Sequence, residues 1–245
     1  MDNALYVSLS RQMTLRREMD VVANNIANVD TAGFKVESML VKADSLSPSS
    51  GGVGGLPIQY VQDAGMARDF SQGALRATGG PLDVGLRGDG FFQVQTADGA
   101  RFTRDGRFSL NAQGQLVTAK GDAVLADGGS PVTLDPTKGE PKIAPDGTVS
   151  QKGAVVGKIG VVRFASNSAL QKAGGGYYQN VSNAASQAAP DVKLAQGMVE
   201  DSNVNPITQI TRLIEVSRAY ETISNLMDQN RSLSEQSIQR LGRVN

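Results

Sequence analysis

The sequence has no cysteine, no histidine and no tryptophan, and only 5% of its 245 residues are aromatic. Without cysteine there are no disulfides, thiolate metal sites or cysteine nucleophiles. Without histidine the commonest general base and the commonest transition-metal ligand are missing. A serine nucleophile would then need a lysine base, and no Ser-x-x-Lys spacing occurs. Paired carboxylates remain open as a catalytic arrangement, but no spacing of acidic residues indicates one. Charge of one sign is not in excess either: 24 acidic side chains balance 24 basic ones, so the basic stripe of a nucleic-acid binder is absent. No run approaches the ~20 apolar residues of a membrane helix. The start, Met1-Asp2-Asn3, carries no basic segment, so a cleaved secretory signal is not expected. The reading is of a protein that catalyses nothing and holds no cofactor or metal.

Hydrophobic residues make up 40% of the chain and glycine contributes 28 positions. That is enough for one sizeable core with appendages and many turns. The two ends are alike. The first segment reads as a helix over 3–28, where Leu15, Met19, Val22, Ile26 and Val29 recur at alternating spacings of four and three. Leu5 and Leu9 form an earlier pair, and Arg11, Arg16, Arg17, Glu18 and Asp20 occupy the other side. A narrow apolar seam on a polar helix suits a coiled-coil partner, or a surface helix packed on its own domain. At the other end Asn205 is a good N-cap and Pro206 suits the first helical position. Ile207, Ile210, Leu213, Ile214, Tyr220, Ile223, Met227 and Leu233 then follow helical spacing to about 241. The simplest arrangement pairs both ends as a two-helix stalk, marginal until neighbouring copies pack on it.

The middle reads as β structure. Phe92 and Val94 alternate with Gln93 and Gln95, and a later run ends in Val161, Val162 and Phe164. Turn pairs are frequent: Asp98-Gly99, Asp105-Gly106, Gln113-Gly114 and Asp146-Gly147. At Asp105-Gly106 a two-residue loop would place Phe102 and Phe108 on opposite faces; a three-residue loop over Arg104 to Gly106, with Gly106 left-handed, would bury both on one face and is preferred. The stretch 45–55, rich in Ser and Gly, reads as a flexible loop. The small, polar stretch 182–190 reads as a connector. The expected fold class is α+β, divided into an N-terminal stalk helix (1–35), a flexible or extended linker (36–68), a β-rich domain (69–180), a connector (181–204) and a C-terminal stalk helix (205–245).

The Asp-Gly pairs lack the ligand spacing of a calcium loop. Gly85-Leu86-Arg87-Gly88-Asp89-Gly90 precedes a strand and lacks the Gly-Lys-Ser/Thr ending of a phosphate loop. Asn24-Asn25-Ile26-Ala27-Asn28 is the unusual feature of the first helix, since three asparagines lower helix propensity. They mark either a fraying end or amides poised to bond a neighbouring chain. Gly33 then serves as a stop or left-handed turn, with Phe34 as an anchor.

The segment from Ala23 through Asn24-Asn25-Ile26-Ala27-Asn28 to Thr31-Ala32-Gly33-Phe34-Lys35 resembles the N-terminal signature of the flagellar basal-body rod and hook family. Val199-Glu200-Asp201-Ser202-Asn203-Val204-Asn205-Pro206, then Leu213-Ile214-Glu215 and Arg218-Ala219-Tyr220-Glu221, resembles its C-terminal signature. Gly88-Asp89-Gly90-Phe91-Phe92-Gln93-Val94, Thr103-Arg104-Asp105-Gly106 and Gly114-Gln115-Leu116-Val117-Thr118 match its centre. The short middle looks like that of a proximal-rod member, with a distal-rod or hook-type subunit as the nearest alternative and a secreted β-domain binding module as a remoter one. After Tyr220-Glu221, Thr222-Ile223-Ser224 departs from the usual polar run.

The resemblance implies a structural subunit that polymerises helically into the rod, a drive shaft crossing the periplasm for motility. It implies as partners copies of itself, other axial rod proteins and the type III export apparatus, with no nucleic acid and no membrane insertion. The expected assembly interface takes Leu15, Met19, Val22, Asn24, Asn25, Ile26, Asn28, Gly33 and Phe34 from the first end. From the second it takes Asn203, Asn205, Pro206, Ile207, Ile210, Leu213, Ile214, Arg218 and Tyr220.

Overall fold

The computed structural model describes residues 2–46 and 58–241. The chain divides into two compact units, each built from separated stretches: the first from 1–27, 37–69 and 205–245, the second from Asn28–Val36 and Phe70–Val204.

The first unit contains helix α1 (Asp2–Ala27), strands β1 (Glu37–Leu46) and β2 (Ile58–Arg68), and helix α2 (Pro206–Leu241). Neither helix has an interior Gly or Pro to break it. The Asn205 side-chain oxygen accepts the Thr208 N–H at 3.2 Å, capping α2 where the sequence places its start. The helices pack antiparallel, since Asn25 late in α1 meets Gln209 early in α2, and Glu18 meets Arg212. Along α2 the row Gln209, Leu213, Val216, Tyr220, Ile223 and Met227 is buried or half-buried, at alternating spacings of four and three. Strands β1 and β2 pair antiparallel from Glu37↔Arg68 to Leu46↔Ile58, with a bulge at Ala64 and Gly65 opposite Leu40 and Val41. The hairpin packs on α1. Segment 36–68, expected as a linker, is thus mostly paired strand. Its low-complexity centre favours a linker on composition alone; of the expected flexible loop 45–55, Ser45 and Leu46 end β1 and residues 47–55 lie outside the described residues.

The second unit is β-rich. It opens with β3 (Leu75–Ala77), β4 (Val84–Arg87), β5 (Phe91–Thr96), β6 (Gly99–Thr103), β7 (Phe108–Leu110), β8 (Leu116–Thr118) and β9 (Ala123–Val124). It continues with β10 (Lys142–Ile143), β11 (Thr148–Gln151), β12 (Ala154–Lys158), β13 (Val161–Phe164), β14 (Leu170–Gly174) and β15 (Tyr177–Asn180). It closes with β16 (Ser186–Ala188), β17 (Lys193–Gln196) and β18 (Met198–Glu200). The largest sheet has nine strands, running β14-β15-β6-β5-β9-β8-β7, with β13 beside β5 and β16 beside β13. Strands β10, β11 and β12 form a smaller sheet, and β17 pairs with β4 and β18 with β3. Residues 181–204 are therefore three paired strands with their turns rather than a connector; their small polar side chains concealed backbone that a sheet can still use.

Strand β5 sits between two apolar clusters. Phe92 and Val94 enter the larger one with Val84, Leu86, Phe108 and Ile159. Phe91, on the opposite face, joins Phe102, Val162, Phe164, Leu170 and Tyr178. Alternation by two along a strand covered on both sides produces this split. In the larger cluster, burial pushes the Tyr177 phenol well above its ordinary pKa, and its hydroxyl contacts Thr118 and Asp122 at 2.6 and 2.7 Å.

The expected hairpin at Asp105-Gly106 does not form. Strand β6 pairs with β5 and β15, β7 pairs with β8, and the two phenylalanines part. Phe102 stacks edge-on to Phe164 in one cluster, and Phe108 edge-on to Phe92 in the other. The reason lies in the turn. Gly106 is not left-handed; it presses against the Val84 backbone, where an added Cβ would stand 1.8 Å from the Val84 oxygen. Val84 N–H donates to Gly106 O at 2.9 Å, which directs the chain away from β6.

Gly106→Ala is therefore expected to cost about 2–3 kcal/mol or more, as overpacking against backbone does. Gly157→Ala, where a Cβ meets nothing within 4 Å, should stay within about 0.5 kcal/mol of the parent. Urea unfolding followed by far-UV circular dichroism compares them.

Candidate assembly interface

The two helices each carry two rows of apolar side chains. One row is used inside the subunit: Leu15, Val22 and Val216 are no more than 5% exposed, and Met19, Ile26, Leu213 and Tyr220 are half-buried. The other faces outward. On α1 it is Tyr6, Leu9 and Met13, 71, 43 and 66% exposed. On α2 it is Ile207, Ile210 and Ile214, 77, 48 and 48% exposed, with Leu226 and Leu233 further along. Both rows of three step at three and then four residues, so each forms a continuous stripe on one helix face. Isolated surface apolar residues are ordinary, but a row of them on a polar helix marks a surface built to be covered. Asn24, Asn205, Pro206 and Arg218 are exposed beside these rows.

Several expected interface residues are instead committed within the chain. Asn25 is 1% exposed. Its amide donates to Glu37 O at 2.7 Å and to Gln209 Oε1 at 3.1 Å, and its oxygen accepts the Glu37 N–H at 3.0 Å. One side chain thus pins the first residue of β1 to both helices, and a buried amide so occupied cannot serve a neighbour. Leu15 and Val22 are corrected in the same way, since the seam they form is closed by their own subunit. Ion pairs reinforce this: Glu37 with Arg68 at 2.7 Å, and Arg212 with Glu18 at 2.5 Å. The Glu18 hydrogen bonds raise the Arg212 guanidinium above its ordinary pKa.

In the second unit Gly33 and Phe34 are buried too. Gly33 adopts φ +67°, and a Cβ there would lie 2.5–2.8 Å from the Arg104 and Asp105 backbone, so glycine is required on both counts. Next to it lies a cluster that the sequence reading missed. Glu200, 1% exposed, binds Lys35 Nζ at 2.5 Å and the Gly73 N–H at 2.9 Å through one oxygen, and Arg104 Nη1 at 3.1 Å through the other. Lys35 Nζ also donates to Ser71 O at 2.6 Å, and Arg104 lies over the Phe91 ring at 5.5 Å. Asn203 accepts the Val36 N–H at 2.8 Å. Asn28 accepts from the Thr31 hydroxyl at 3.1 Å, shaping the turn before Gly33.

Three family models match the chain in order: a basal-body rod protein model over 5–35, the D1 domain of the hook and rod proteins FlgE, FlgF and FlgG over 85–151, and the rod proteins' C-terminal model over 195–240. The flagellar basal-body rod protein FlgF of Caulobacter vibrioides is 49% identical over 245 residues, the whole of both chains. The chain belongs to the flagellar basal-body rod protein family. FlgF of Mesorhizobium japonicum is 38% identical, covering 99% of each chain, and the rod protein FlgG of Bacillus subtilis 30%, covering 91 and 93%.

In this rod-family chain the first model covers α1 and the segment to Lys35, and the last covers β18 and α2. The two terminal signatures are thus partly helix and partly the walls of the Glu200 cluster. A charged residue set directly against apolar ones, as in Phe34-Lys35-Val36 and Val199-Glu200, is the signal that could have revealed that cluster. Glu200→Gln removes the buried carboxylate that Lys35 and Arg104 share, leaving Arg104 the exposed Asp89 at 3.9 Å, and is expected to cost about 3–5 kcal/mol. Asn25→Ala strands the Glu37 backbone groups and should cost about 1–3 kcal/mol. Denaturant titration of each purified variant measures both.

Proposed function

We propose that this chain is a structural subunit of the flagellar basal-body rod and assembles through the outward apolar rows of α1 and α2. The carrying observation is that pair of rows: Tyr6, Leu9 and Met13 on one helix and Ile207, Ile210 and Ile214 on the other, exposed while a second row on each helix is already buried. Full-length likeness to chains named rod proteins supports the same reading, and the higher identities, to FlgF, favour a proximal position over a distal-rod or hook-type one. Partners are copies of the chain and other axial proteins. A contact that does not close on itself extends into an open helical stack. The alternating four-and-three burial along α2 supports coiled-coil packing of the paired ends. Passing torque along such a stack requires interlocked packing rather than chemistry. Export by the type III route into the rod is part of this reading.

Met13→Asp and Ile210→Asp place a charge on the outward rows only. Each purified variant should unfold within about 0.5 kcal/mol of the parent, yet fail to restore swimming to cells lacking the gene, with no rod in their basal bodies. Val216→Asp, which buries its charge inside the subunit, should instead lose several kcal/mol, about 3 or more. Full swimming with Ile210→Asp would show that the outward row is not the assembly surface.

A further inference from the structure

Segment Asn28–Val36 packs in the second unit, although the chain before Ala27 and after Glu37 belongs to the first. Its docking resembles the addition of a short strand. Gly33 N–H donates to Glu200 O at 2.7 Å, and Asn203 N–H to Phe34 O at 3.3 Å. Lys35 plugs onto the Glu200 carboxylate, Val36 N–H reaches the Asn203 side chain, and Lys172 Nζ lies 4.9 Å over the Phe34 ring. Ala32, Phe34 and Lys35 are all more than nine-tenths buried.

Three observations separate this docking from the folding of the unit. Neither apolar cluster takes a residue from 28–36. Glu200 keeps Arg104 and the Gly73 N–H when Lys35 is withdrawn, so its charge stays paired. The segment also holds its own shape: Thr31 N–H bonds Asn28 O, Phe34 N–H bonds Thr31 O, and Gly33 is left-handed. A preformed turn loses little entropy on binding.

We propose that Asn28–Val36 is a latch that docks onto, and can leave, an already folded β unit. The groove formed by Ser71, Arg104, Lys172, Glu200 and Asn203 is then a peptide site specific for this segment. A subunit whose own latch is open accepts the same segment from a second copy. Main-chain pairing supplies affinity, while the Lys35 plug and the Phe34 anchor supply specificity. In the intact chain the tethered latch is present at a high effective concentration and excludes competitors.

The test uses the full-length chain carrying Lys35→Met and a fluorescent synthetic peptide of residues 27–37. Hydrogen exchange at the Gly33, Val36 and Asn203 amides should rise at least about tenfold, while Phe92 and Val94 in the core exchange as in the parent. The variant should bind the peptide by fluorescence anisotropy and the parent should not. Adding Asn203→Ala to the variant should weaken that binding about tenfold, through loss of the partly buried hydrogen bond that Asn203 accepts from the Val36 N–H. Faster exchange at Phe92 and Val94 together with Gly33, or failure of Lys35→Met to fold, would show the segment to be integral to the unit and overturn the proposal. So would equal binding of the peptide by parent and variant, or none by the variant.

Discussion

The carboxylate of Glu200 is the constraint around which the β unit is arranged. Burying a charge costs several kcal/mol in desolvation unless close partners replace the lost water. Here the partners come from distant parts of the chain: Lys35, Gly73 and Arg104. Each must arrive with its backbone placed to within a hydrogen bond. Gly33 is glycine because the chain must turn left-handed there, against the Arg104 backbone. The turn after β6 follows as well. Arg104 points inward to Glu200, Gly106 lies on Val84, and Phe102 and Phe108 are sent to separate clusters.

The helical unit answers a different demand. A pair of helices with one two-stranded hairpin has little core of its own. It closes one apolar row internally, with Leu15, Val22 and Val216, and locks the arrangement through Asn25 and the Glu18–Arg212 pair. Among the described residues the second row on each helix stays exposed. Since covering apolar surface is favourable in proportion to its area, those rows provide the drive for assembly while the inner row maintains a surface of defined shape.

Much of this was legible in the residues. Both helices, the Asn205-Pro206 start, the strand through Phe92 and Val94, and the left-handed Gly33 follow from periodicity, capping and turn chemistry, which act over a few residues. The connector assignment missed because β16, β17 and β18 are held by backbone pairing with β13, β4 and β3, and the linker assignment because β1 and β2 pair with each other; weak side-chain patterns announce neither. The asparagines suit either a fraying helix end or amides for a neighbouring chain, and Asn25 takes neither role, bonding Glu37 and Gln209 within the chain.

Sequence by itself determined the absence of thiol and imidazole side chains, the helical ends, the β character of the middle and the kinship with rod proteins. Each of these rests on composition, on spacings within one element or on runs of contiguous residues. Only the tertiary structure decided which apolar row of each helix faces its own subunit, and which lysine and arginine the buried Glu200 selects. Helical spacing shows that two rows exist but is indifferent to which partner covers them. A salt bridge between residues 165 positions apart depends on where the intervening sheets bring the backbone, and no local pattern encodes that.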